Sequence, residues 1–114
     1  MKHKKMKPDV KEELNRIVDT LANTGIVSQI FLFGSYASGE ETPDSDLDLC
    51  VLTREKGRRP TELMDNFRFE LLDVKTMPMD LLAFNQDEFY SDASRPTSFQ
   101  HEIAKNGVLL YERA

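Results

Sequence analysis

Asp46 and Asp48, one residue apart, follow the pair Gly34-Ser35 after ten intervening residues. A strand alternates its side chains between two faces, so these aspartates point the same way and stand close together. Such a pair is a poor structural unit and a good seat for a hard cation such as Mg²⁺. Glu40, Glu41 and Asp44 raise the local total to five acids in nine positions. Crowded like charges repel, and burying them costs free energy unless water or a cation compensates. An ordinary solvated acidic surface is the alternative, and the preceding turn weighs against it. Gly34 lets backbone approach a ligand closely, Ser35 adds a hydroxyl, and the following turn offers N–H groups to phosphate oxygens. If the two strands are neighbours, phosphate donors and carboxylates converge, which suits ATP carried in with divalent ions.

Two rival phosphate motifs fail. Gly34 and Gly39 have P-loop spacing, but Glu40-Glu41 occupies the place where Lys-Ser/Thr is required. No G-x-G-x-x-G is present. His3 and His101 are too far apart in sequence to suggest a metal site. Cys50 continues the face of the aspartates and reads as a small packing residue. Phe89, Tyr90 and Phe99 read either as a ledge for a base or as apolar packing, with packing the default. Tyr36, beside Ser35, either touches a nucleotide or caps the turn.

The elements that must position these residues follow from periodicity. Val10, Leu14, Ile17, Val18 and Leu21 predict a helix over 9–24, with Asp9 and Glu12 as a capping box and Gly25 as the stop. "SQIFLF" (28–33) predicts a strand ended by Gly34-Ser35, and 36–45 a loop. "DLDLCVLT" (46–53) predicts a second strand, with Leu47, Leu49 and Val51 entering the core. Pro60 opens a second helix whose face is Leu63, Met64, Phe67, Leu71 and Leu72. A third strand is expected at 77–84, a loose acidic stretch at 85–94, a last helix from Arg95 to Asn106, and a short strand at "VLLY". That order predicts an α/β (α+β) sandwich, a small mixed sheet packed against helices.

Bulk properties bound the rest. The 114 residues fit one domain, 1–114, with a flexible basic tail at 1–7. The single cysteine excludes an internal disulfide framework and fits a reducing, cytoplasmic setting. No apolar stretch approaches bilayer length, and the basic start lacks a secretory h-region, so no membrane role is expected. A net charge of −5 argues against broad binding of nucleic acid.

Gly34-Ser35, ten residues, then Asp46-x-Asp48 resembles the pattern of the polymerase-β-like nucleotidyltransferase superfamily. The chain is most similar to its minimal nucleotidyltransferase (MNT) branch, whose short members include antitoxins. The likeness runs from the leading helix to the closing "NGVLLYE" and implies the nucleotidyltransferase fold. It implies a third carboxylate on a neighbouring strand, for which Asp80 in "MPMDLLAF" is the match and Asp73 the competitor. It further implies two Mg²⁺ ions (Mn²⁺ as a substitute) held by Asp46, Asp48 and Asp80, with Gly34 and Ser35 at the triphosphate. The implied reaction transfers AMP from ATP, and the implied partner is an HEPN-domain protein that offers a tyrosine or is neutralised by binding. Many relatives carry arginine where this chain has Ser38; Arg54, Arg58 and Arg59 are either substitutes for that cation or solvated turn charges. At this length the acceptor is expected to come from the partner.

Overall fold

A computed structural model describes residues 7–113. His3 and the basic tail up to residue 6 lie outside the described residues. The chain runs α1 (Pro8–Ala22), β1 (Val27–Phe33), α2 (Ser35–Ser38), β2 (Leu47–Thr53), α3 (Pro60–Glu70), β3 (Met79–Asn85), α4 (Gln86–Ala93), α5 (Phe99–Asn106) and β4 (Val108–Glu112). The four strands form one mixed sheet in the order β3-β2-β1-β4. β1 pairs antiparallel with β2 and with β4, whereas β2 and β3 are parallel and joined through α3. The expected helix-packed mixed sheet is therefore the observed architecture.

Alternation along the strands separates two cores. Ile30, Leu32, Leu47, Leu49, Val51, Leu81 and Ala83 meet Leu14, Ile17 and Leu21 of α1 and Leu63 and Phe67 of α3. The opposite face carries Phe31, Cys50 and Leu52, covered by Phe89 and Ala93 of α4 and Ile103 of α5. β2 is covered on both sides, so every residue of it except Asp48 is buried. Cys50 is indeed a packing residue, and burial pushes its thiol up to about 12.

Five local expectations need correction. The stretch 85–94 is mostly helix: Phe89 and Ala93, four apart, bury on one side, and Asn85 caps the start by accepting from Glu88 N at 3.1 Å. Its acids, Asp87 and Glu88, belong to the first helical turn, where negative charge is favourable. The last helix starts at Phe99 rather than Arg95, because Pro96 interrupts the run and Ser98 accepts from His101 N at 3.0 Å. The Asp9–Glu12 capping box does not form; Pro8 opens α1 after Lys7, and Asp9 Oδ1 accepts from the adjacent Val10 N. Leu72 lies past the end of α3 and is 69% exposed. The nominal loop 36–45 also contains one helical turn, α2.

A buried carboxylate ties α1 to the start of β3. Glu13 is almost fully enclosed, and its oxygens accept from the Thr76 and Met77 amides at 2.8 and 2.9 Å and from the Thr76 hydroxyl. Burial by itself raises the Glu13 pKa, but these donors and the Arg16 charge outweigh it and leave the group below its ordinary 4.5. No described helix is long and apolar enough to cross a membrane.

Because the folded protein favours ionised Glu13, its stabilisation is complete above the ordinary glutamate range and is lost as pH falls through the lower folded-state value. Glu13→Gln should cost about 2 to 3 kcal/mol at neutral pH. Urea titrations from pH 7 down to 3 should show the two proteins converging as the solution is acidified; a constant gap would contradict the assigned role.

Candidate active site

The parallel pairing of β2 with β3 puts Asp48 directly opposite Asp80. Both side chains fall on the α4/α5 face, since Cys50 and Leu52 follow Asp48 at two-residue steps and Leu82 and Phe84 follow Asp80. Asp46 sits one residue ahead of β2, half-buried, and within electrostatic reach of Asp48. The Asp48 pKa is raised, first by burial, then by the Asp80 and Asp46 charges and by a side-chain hydrogen bond with Asp80. Asp73, the competitor, is exposed in the turn after α3 and takes no part in this pairing.

Gly34 completes the cluster in a way its sequence context does not disclose. On β1, Phe33 is the register partner of Asp48, and the chain then turns through Gly34 at φ +73° and ψ −155°. A Cβ placed there would lie 2.1 Å from Asp48 Oδ2. The glycine therefore makes room for the protein's own carboxylate as well as for a sharp turn. Ser35 follows as the first residue of α2, where the Ala37 and Ser38 amides both donate to the Gly34 carbonyl, at 3.1 and 3.2 Å. Gly34, Ser35, Asp46, Asp48 and Asp80 thus gather at one end of the central strands.

The donor set fits a hard divalent cation. Carboxylate oxygens are its preferred ligands, and a cation there would offset the charge repulsion that raises the Asp48 pKa. Among the described residues, no three His, Cys, Asp or Glu side chains form a ready-made cage. Mg²⁺ commonly takes one or two carboxylates and completes its shell with water and substrate phosphate, so this open arrangement is consistent with it.

The described residues also place the other candidates. Arg54, Arg58 and Arg59 all follow the far end of β2, roughly 20 Å along the strand from Asp48. Arg58 there pairs with Glu55 and Glu62, each at 3.2 Å. Tyr36 packs on the α1/α3 core and lines a separate cleft of about 450 Å³ with Asp9, Arg16 and Glu41. Phe89 is core, whereas Phe99 is 52% exposed. His101 Nδ1 meets the Ala93 carbonyl at 2.9 Å and joins α5 to α4.

Residues 15–114 match the family described as polymerase beta, nucleotidyltransferase. The chain belongs to that family. Polymerase beta nucleotidyltransferases generally use divalent metals and nucleoside triphosphates, in keeping with the carboxylates and the Gly34-Ser35 turn. The fold is similar to a crystal structure of a candidate nucleotidyltransferase from Sulfolobus solfataricus, with a TM-score of 0.61 and 18% identity. That superposition covers 96% of this chain and 91% of the other. No curated protein matches the chain.

Neutralising one member of a repelling cluster should stabilise the protein alone. Asp48→Asn is expected to stabilise the protein in metal-free buffer by on the order of 1 kcal/mol, read as a higher melting temperature, and to abolish any further rise produced by Mg²⁺ or Mn²⁺. A lower melting temperature for the variant would refute the repulsion. Gly34→Ala should cost about 1 to 3 kcal/mol, since it combines a disfavoured backbone with displacement of Asp48; unchanged unfolding in urea would show that neither constraint operates.

Proposed function

We propose that the protein is a metal-dependent nucleotidyltransferase that moves AMP from ATP to a hydroxyl of a partner protein. The carrying observation is the register pair Asp48–Asp80 beside Gly34. In this reading Asp46, Asp48 and Asp80 hold one Mg²⁺, and Asp46 with Asp48 a second, Mn²⁺ serving as a substitute. When bound, the ions offset triphosphate charge and lower the pKa of the acceptor hydroxyl. Gly34 gives the triphosphate close access to backbone, and Ser35 donates to a phosphate oxygen.

Asp80 is exposed, which leaves the reacting position open to a side chain from another molecule. The acceptor oxygen bonds to the α-phosphorus as the bond to the β-phosphate breaks, and pyrophosphate leaves with the electron pair. In this reading the hydroxyl proton passes to the Asp80 carboxylate; its pairing opposite Asp48 supports that role. The MNT resemblance supports a tyrosine of an HEPN-domain protein as acceptor, with this chain as the antitoxin half of the pair.

One observation supports a second reading, an antitoxin that acts by complex formation with a weak site. No lysine or arginine lines the cleft beside Gly34, where the family resemblance implies an arginine at the position of Ser38. The two readings part in cells, where only the binding module would still restrain its partner after Asp46→Asn and Asp48→Asn are combined.

Incubation of the protein with ATP, Mg²⁺ or Mn²⁺ and its partner should add whole AMP units to the partner's mass. The double variant should lose transfer by at least a hundredfold while melting cooperatively, since charge stabilisation at a transferring phosphoryl group is commonly worth about 10² or more in rate. Transfer that survives the double substitution would remove the catalytic assignment.

A further inference from the structure

A second recess opens from the same glycine. A cleft of about 410 Å³ runs between the α2 turn and α5, with Phe33 and Gly34 at one side and Phe99, Glu102 and Asn106 at the other. Its volume is that of a small-molecule site. Phe99, Glu102, Ile103 and Asn106 recur at helical spacing and form one stripe of α5. Ile103 is buried in the α4/α5 core and fixes the orientation of that stripe. Phe99 is left half in solvent, its ring edge-on to Phe33 with centroids 5.6 Å apart. Phe33 is in turn the register partner of Asp48. An exposed aromatic ring and the carboxylates therefore lie on one side of the sheet, linked through Phe33.

We propose that this cleft is the nucleobase subsite, with the base stacked on Phe99 and its amino group facing the Glu102–Asn106 edge. Asn106 Nδ2 donates to Glu102 Oε1 at 2.9 Å, so the two side chains are held as one polar rim. A carboxylate there accepts hydrogen bonds and offers no donor, which favours a base bearing an exocyclic amino group over uracil. The triphosphate would leave the cleft past Gly34 toward Asp48 and Asp80, while the base would lie on the Phe99 side of the cleft, across from Glu40. Stacking on an aromatic ring supplies affinity without requiring a cation, which suits a cleft lined by no lysine or arginine.

This assignment rests on the nucleotidyltransferase reading, and the two can be tested apart. Binding of ATP and of inorganic tripolyphosphate, each with Mn²⁺, would be measured by calorimetry on the wild type and on Phe99→Ala and Phe99→Tyr. Phe99→Ala should weaken ATP about tenfold, Phe99→Tyr should bind as the wild type does, and tripolyphosphate should bind all three alike. The chain has no tryptophan, so Phe99→Trp introduces a single indole. Its fluorescence should respond to ATP, less to UTP, and not to tripolyphosphate. Equal ATP affinity in Phe99→Ala and wild type, or an equal loss for tripolyphosphate in a Phe99→Ala protein that melts normally, would overturn the base subsite alone. Failure of the wild type to bind either ligand would overturn the nucleotidyltransferase reading beneath it.

Discussion

Asp48 and Asp80 face one another across two parallel strands, and the repulsion between them sets the terms for everything at this end of the sheet. Neighbouring strands are about 4.8 Å apart, so in-register aspartates on one face cannot avoid each other. Parallel pairing leaves no choice of side: Asp48 and Asp80 share the α4/α5 face just as Cys50 and Leu82 do. The fold meets this cost in two visible ways. It withholds a side chain at Gly34, where any Cβ would strike the Asp48 carboxylate, and it keeps Asp80 exposed to solvent. A protein selected only for stability would have no reason to keep three acids so close together.

The rest of the architecture supplies rigidity for that arrangement. β2 has helices over both faces, and its buried residues pin the strand so that Asp48 cannot drift from its partner. β3 is an edge strand and would be the looser of the two. Glu13 answers that weakness by binding the Thr76 and Met77 amides just before β3 begins. A buried acid on α1 thus holds the start of the strand that carries Asp80. Beyond the acids, α5 contributes opposite qualities within one stripe, Ile103 as anchor and Phe99 as an exposed ring beside Gly34.

Several parts of this were legible along the chain because they depend on neighbours in sequence. Alternation in "DLDLCVLT" placed Leu47, Leu49 and Val51 in the core, and Gly34-Ser35 announced a turn. Asp80 is not legible in this way: no spacing selects it, and only the family resemblance points to it over Asp73. Errors arose where two local signals competed. Acids in 85–94 suggested a solvated stretch, although Asn85 followed by Glu88 three residues on is a helix-start signature and Phe89 and Ala93 complete the face. The last helix, expected from Arg95, begins only at Phe99, because Pro96 and the Ser98 cap set its start. Asp9 and Glu12 had capping-box spacing, but Pro8 starts the helix one residue earlier.

Residue types and short spacings determined that this chain makes a small mixed sheet with helices and that its carboxylates cluster near a glycine-serine turn. Both follow from periods of two and 3.6 residues and from turn chemistry, which act over a few positions. Only the tertiary structure decided that Asp80 faces Asp48, that Gly34 makes room for an aspartate, that Tyr36 belongs to the other face and that Phe99 stays uncovered. These outcomes depend on which strands pair, in what register, and under which helices, and that is settled by packing between segments tens of residues apart.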